Sequence, residues 1–126
     1  MKYLWLLLPA VSLLLTGCYQ NERNCTKFHN GTFEFSYTIE GEKRSSTFVR
    51  NDSMEIDFYE NRTDTNSVRW LNDCEFIVKK LNANSIREEK PIHIKILSTS
   101  DNSYIFEYSL VGDNKNKQKG KATKIN

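Results

Sequence analysis

The chain has 126 residues, of which 18 are Lys or Arg and 16 are Asp or Glu, so its formal net charge is +2. A nearly neutral chain exerts no overall attraction on nucleic acid, and its 38% hydrophobic content suits a globular domain rather than a disordered one. We therefore expect one folded domain and no nucleic-acid partner.

The N-terminal segment has the order of an export signal. Lys2 supplies a positive start, residues 3–15 carry no charge and are rich in Leu, and residues 15–18 read Leu-Thr-Gly-Cys. This apolar run is shorter than the roughly 20 residues that a membrane-spanning helix needs. We predict a signal peptide over residues 1–17 rather than a permanent transmembrane helix.

The Leu-Thr-Gly-Cys motif that ends at Cys18 resembles the lipobox of bacterial lipoproteins, in which an aliphatic residue, a small residue and Gly or Ala precede Cys. The resemblance implies cleavage before Cys18, a diacylglycerol on its sulfur and a further acyl chain, such as palmitate, on its new amino group. Several acyl chains give durable anchoring to a membrane. We expect a cell-envelope protein, favouring the outer membrane on its periplasmic or surface face. Residues 18–27 then form the lipid anchor and a short tether, and residues 28–126 the folded domain.

Two cysteines remain if lipid occupies Cys18, namely Cys25 and Cys74. An oxidising envelope favours a disulfide between them, and the alternative is two unpaired thiols. Two thiols without CxxC spacing, with only His29 and His93 in addition, are a poor ligand set for zinc. We predict the disulfide, and we expect no metal and no cofactor.

Most of the remaining sequence alternates between apolar and polar residues, which is typical of half-buried strands. The exception is residues 83–90, where Ser85 and Glu88 resemble a capping box and predict one helical turn. Consecutive strands joined by short turns form an antiparallel meander, and their apolar faces require the sheet to close on itself. We predict an all-β barrel, with a β-sandwich as the alternative. The predicted strands are 32–40, 43–50, 54–59, one around 68–70, 74–78, 92–97, 104–110 and 118–125.

The alternation also predicts which side chains share the core. Strand carboxylates such as Glu34, Asp57 and Glu107 are expected on a solvated outer face, although Glu55 and Asp57 together form a less favoured candidate cation site. The side chains predicted in one shared core are Phe33, Phe35, Ile56, Phe58, Trp70, Phe76, Ile94, Phe106 and Tyr108.

Candidate sites for chemistry are few. His29 is expected in a loop and His93 on an exposed strand face, and no nucleophile–base or phosphate-binding motif is present. We expect no catalytic residues and no enzyme. The lysines between Lys115 and Lys124 favour an edge strand protected against further pairing, with contact to anionic headgroups or polysaccharide as the alternative.

The aromatic residues allow two interpretations of the barrel interior. Phe35, Trp70, Phe106 and Tyr108 are candidates to line a ligand pocket, as in ligand-binding barrels. Alternatively, the chain's own side chains fill the interior, and the protein is a structural or inhibitory envelope protein. We favour a binding module for a small apolar ligand or an envelope protein partner.

Five stretches of the chain carry a wider resemblance. The chain from Cys25 to Ile125 resembles a family of small bacterial lipoproteins, and its strand order is similar to that of calycin and lipocalin-like barrels, although the Gly-x-Trp signature of the latter is missing. Some members of that family are called DNA topoisomerase IV, a function that this short chain does not support. The stretches are Cys25 itself, residues 31–35 (Gly-Thr-Phe-Glu-Phe), residues 47–51 (Thr-Phe-Val-Arg-Asn), residues 68–70 (Val-Arg-Trp) and residues 74–76 (Cys-Glu-Phe).

Overall fold

A computed structural model of the protein describes residues 23–82 and 90–126. A 3₁₀ turn, Cys25–Phe28, precedes eight antiparallel strands that follow one another around a closed barrel. The predicted signal peptide, Cys18 and the predicted helical turn at Ser85 lie outside the described residues. The strands are β1 (Gly31–Ile39), β2 (Glu42–Arg50), β3 (Met54–Tyr59), β4 (Arg62–Asn72), β5 (Glu75–Lys80), β6 (Ile92–Thr99), β7 (Ser103–Leu110) and β8 (Gln118–Lys124).

The barrel closes through pairing of β8 with β1, which places Ala122 opposite Phe35. The predicted all-β barrel is therefore confirmed. The prediction that the lysine-rich last strand is an edge is wrong, because β8 pairs with β7 on one side and β1 on the other. Within residues 23–82 and 90–126, no helix has the length and apolar character needed to cross a membrane.

Two hairpins at one end of the barrel have two-residue turns. Glu40 and Gly41 join β1 to β2, and Glu60 and Asn61 join β3 to β4, all four with positive φ angles between 41° and 80°. Two consecutive residues of positive φ match the twist of antiparallel strands in a tight hairpin. The second turn is shorter than predicted, since β4 begins at Arg62 rather than after Asp64. We call this end of the barrel the open end.

The 3₁₀ turn packs against the opposite end, which we call the closed end. Phe28 is fully buried, and its ring centroid lies 6.4 Å from that of Phe33 and 5.3 Å from that of Tyr104. A disulfide between Cys25 and Cys74 ties this turn to the β4–β5 connection, which confirms the predicted pairing. The aromatic core is therefore densest at the end where the chain enters the barrel.

Strand β3 has the opposite orientation to the one predicted. Its register places Glu55 opposite Arg50 and Asp57 opposite Phe48, and directly opposed residues of paired strands point to the same face. Glu55 is consequently buried at 7% exposure, whereas Phe58 on the outer face is 44% exposed. The predictions that Ile56 and Phe58 join the core, and that Asp57 faces solvent, are wrong. Alternation identifies residues that share a face but does not say which face is inside.

Candidate ligand-binding cavity

The barrel contains a partly open cavity of about 340 Å³. Its lining extends from Arg50 and Tyr104, near the closed end, to Tyr59, Asp64 and Ile92 beside the open end. The walls are mainly aromatic and aliphatic, and the polar groups gather on β2, β3 and β4. The remaining lining residues are Phe35, Ser46, Phe48, Glu55, Asp57, Ile94, Phe106 and Tyr108.

Three of the four predicted lining residues border this cavity, namely Phe35, Phe106 and Tyr108. Trp70, the fourth, is not among the lining residues. Its ring lies 4.4 Å from the ring of Phe76 and stacks on His29 at 3.6 Å, between centroids. Trp70 therefore packs in the core of the barrel and against His29, and it does not form part of the cavity wall.

A glycine on β8 makes room for the aromatic wall. Gly120 lies opposite Phe106, and a Cβ added at this position would come within 2.7 Å of ring atoms of both Phe106 and Phe35. The centroids of these two rings are 5.6 Å apart. Because Gly120 has no side chain, both rings can lie against the backbone of β8 instead of filling the interior.

Arg50 forms the floor of the cavity. Its Nη2 donates to the backbone oxygen of Phe28 at 2.6 Å and to the Tyr104 hydroxyl at 3.1 Å, and its Nη1 donates to Glu55 Oε1 at 3.2 Å. The guanidinium carbon lies between 4.7 and 5.7 Å from five aromatic ring centroids, close enough for cation–π attraction. The rings are those of Phe33, Phe48, Trp70, Phe76 and Tyr104.

Two carboxyl groups stand beside this guanidinium. Burial raises the pKa of Glu55 to about 7, with a contribution from the neighbouring charge of Asp57, while the charge of Arg50 opposes the rise. Burial also raises the pKa of Asp57, against the effect of Asn66, whose Nδ2 donates to Asp57 Oδ2 at 2.8 Å. The interaction between the two carboxyl groups raises the pKa of Glu55 and opposes the rise at Asp57, so Glu55 is the group that holds a proton near neutral pH.

Sequence reasoning missed most of this polar floor. The sequence offers Arg50 only as part of the stretch 47–51, does not mark Tyr104 as a site residue, and offers Glu55 with Asp57 only as a less favoured cation site. One signal was available: the turn at residues 51–53 is short enough to place Arg50 and Glu55 opposite each other in a hairpin. A positive and a negative charge at such positions indicate an ion pair, whichever face it occupies.

The remaining candidate residues lie away from the cavity. His29 Nε2 is 2.8 Å from the backbone oxygen of Asp73, and His93 Nε2 is 3.4 Å from Glu75 Oε2 at the surface of the barrel. In the part of the chain that the structure describes, no group of three or more His, Cys, Asp or Glu side chains could hold a metal ion. The lysines at positions 119 and 121 are exposed on β8.

No protein-family model, curated protein or solved structure shows a significant match to this chain. The chemistry of the cavity therefore rests on its own residues and their geometry.

Proposed function

We propose that the protein is a non-catalytic binding module, held at a bacterial membrane by lipid on Cys18, whose barrel holds a small ligand with a largely apolar body. The observation on which this proposal rests is the cavity. Its volume of about 340 Å³ lies within the range of roughly 300–1,000 Å³ that is usual for small-molecule sites. Aromatic walls with a few polar groups at one end suit a ligand whose body is apolar and whose head is polar.

The position of the anchor supports the same role. Cys18 precedes Cys25 by seven positions, and Cys25 is fixed at the closed end by its disulfide. A tether this short keeps the closed end close to the membrane surface. The open end then faces away from the membrane, where a ligand can enter from solution.

The alternative function, a structural or inhibitory protein, requires an interior filled by the chain's own side chains. The cavity and the glycine that widens it argue against a solid barrel. A charged floor with two adjacent carboxyl groups is also costly to bury, and it is better explained by recognition of a ligand than by packing.

A matched pair of substitutions on β2 tests the proposed function. Ser46 lines the cavity, whereas its neighbour Ser45 is exposed on the outer face. We expect the neutral fluorescent probe N-phenyl-1-naphthylamine to bind the purified protein, and Ser46→Phe to abolish binding by filling the cavity. Ser45→Phe adds the same ring outside and should leave binding intact. Equal binding by both variants would contradict an interior site.

A further inference from the structure

We infer that the ligand of this cavity is a small organic amine, whose ammonium group binds between the carboxylates of Glu55 and Asp57 while its apolar body lies against the aromatic walls. This inference rests on the proposed function, because it takes the barrel interior as the binding site. It goes further by assigning the charge of the ligand and the two residues that recognise it.

One of the carboxyl groups that line the cavity has no cation beside it. Glu55, Asp57 and Asp64 line the cavity, and Arg50 pairs with Glu55. Asp64 has a cation of its own, Lys80 on the inner face of β5, whose Nζ lies 3.5 Å away. Asp57 is the one carboxylate of the three that forms no salt bridge among the described residues. A buried carboxylate without a counter-ion is strongly unfavourable, and an ammonium group supplies that counter-ion.

The proton on Glu55 leads to the same ligand class. Without a ligand, burial keeps Glu55 protonated up to about pH 7, because its pKa is raised to about 7. An ammonium group has three donors and can take the place of this proton, which then leaves to the solvent. Arg50 keeps its bond to Oε1 of Glu55, so the other oxygen remains available to the amine.

The aromatic walls favour a cation and an apolar body together. Phe48, Tyr59, Phe106 and Tyr108 border the same space as the two carboxylates. Aromatic faces attract ammonium groups in desolvated sites and also supply apolar contact area. An anionic ligand, by contrast, would place a third negative charge beside Glu55 and Asp57.

Binding should depend on pH through the charges that face the amine. These groups are Arg50 on β2, Glu55, Asp57 and Tyr59 on β3, Asp64 on β4, Lys80 on the inner face of β5, and Tyr104 and Tyr108 on β7. The amine binds the ionised form of both carboxyl groups, whereas Glu55 retains its proton below about pH 7. Affinity for an amine should therefore rise between pH 5 and pH 8, and affinity for a neutral analogue should not.

Isothermal titration calorimetry of the purified full chain with three probes of similar shape tests the inference. The probes are phenylalaninol (a cation), 3-phenylpropan-1-ol (neutral) and 3-phenylpropionate (an anion). At pH 8 we expect phenylalaninol to bind about tenfold more tightly than the alcohol or the anion, as one charge-assisted contact would give. At pH 6.5, titrations in buffers of different ionisation heat should detect release of a proton.

Asp57→Asn is the decisive variant, because it removes one carboxylate and leaves the Arg50–Glu55 pair intact. It should abolish the preference for phenylalaninol and retain binding of the alcohol. Glu55→Gln should have the same effect, and thermal unfolding will show that the variant protein used in the titration is folded. Glu107→Gln is the control, since Glu107 lies outside the cavity and pairs with Lys117 at 3.3 Å, and it should keep the preference.

The outcomes separate the inference from the proposed function. Binding of the alcohol or the anion as tightly as the amine, with no change in Asp57→Asn, would overturn the inference and leave the binding module standing. Binding of none of the three probes, together with no effect of Ser46→Phe on N-phenyl-1-naphthylamine, would overturn both.

Discussion

Arg50 is the residue on which the polar floor depends. A guanidinium stays charged in proteins, and removing it from water is unfavourable unless its hydrogen bonds and charge are satisfied. Phe28, Glu55 and Tyr104 provide three such bonds, and five aromatic rings surround the group. Arg50 thereby links the 3₁₀ turn to β2, β3 and β7 through a single side chain.

Replacing this arginine should weaken the whole barrel. We expect Arg50→Ala to lower the free energy of unfolding by ~3–5 kcal/mol, as is typical when one partner of a buried ion pair is removed. Arg69→Ala, at an exposed position of β4, should cost less than ~0.5 kcal/mol. Urea denaturation measures both values. Similar small losses in the two variants would show that Arg50 is not held in the interior.

Because Glu55 is buried, we expect the stability of the protein to depend on pH in an unusual way. Burial raises its pKa from the ordinary 4.5 to about 7, so the folded protein keeps a proton that the unfolded chain releases. The free energy of unfolding should therefore fall as the pH rises from about 4.5 to about 7, by up to ~3 kcal/mol, and then level off. Thermal unfolding across this range would show it, and Glu55→Gln should remove most of the fall. A wild-type stability that rises over the same interval would contradict buried, protonated Glu55.

At the scale of elements, the alternation of apolar and polar residues predicted the barrel and most strand positions. It placed Phe33 and Phe35 on the inner face of β1 correctly, because the outer positions of that strand are polar throughout. It failed on β3, where both faces carry large side chains. There the orientation depends on pairing with β2, and thus on the Arg50–Glu55 contact, which local periodicity cannot detect.

The place of β8 between β7 and β1 in the closed barrel could not be predicted from local patterns. Strand β8 appears polar and edge-like in isolation, since lysines alternate along it. Its inner face includes Gly120 and Ala122, and their small size becomes meaningful only when Phe35 and Phe106 lie against them. The cavity likewise arises from contacts between distant strands, so the sequence predicted three of its aromatic lining residues but not its charged floor.

The role of Gly120 can be tested directly. A Cβ at this position would stand 2.7 Å from ring atoms of Phe35 and Phe106, so Gly120→Ala must push these rings toward the cavity. We expect a loss of ~1–3 kcal/mol in stability, as is usual for overpacking, together with weaker binding of N-phenyl-1-naphthylamine. Lys121→Ala, at the next and exposed position, is the control for both measurements. Undiminished probe binding by Gly120→Ala would show that these rings do not border the ligand.

For the whole molecule, the two ends of the barrel differ in structure. The closed end carries the disulfide, the 3₁₀ turn and the densest aromatic packing. The open end carries the two tight hairpins and the cavity-lining residues Tyr59, Asp64 and Ile92. With a lipid on Cys18, this polarity would hold the protein upright on a membrane with its cavity directed outward.

The anchor itself is testable in cells. If Cys18 is lipidated as proposed, Cys18→Ala should abolish incorporation of a labelled fatty acid, because the substitution removes the sulfur that would accept the diacylglycerol. The protein should then leave the membrane fraction. Cys25→Ala with Cys74→Ala is the matched control, since it removes two thiols without touching the lipobox-like motif. Equal labelling of the wild type and Cys18→Ala would contradict lipid anchoring at this residue.

The most direct measurement of ligand binding inside the barrel is an NMR titration of the purified protein with phenylalaninol, following assigned side-chain signals. Signals of Phe35, Ile94 and Phe106, which line the cavity, should shift and saturate together. Signals of Val49 and Phe58, which are 40% and 44% exposed on the outer face, should remain in place. Saturating shifts at Val49 and Phe58 with none at Phe35 and Phe106 would place the ligand outside the barrel and contradict an interior site.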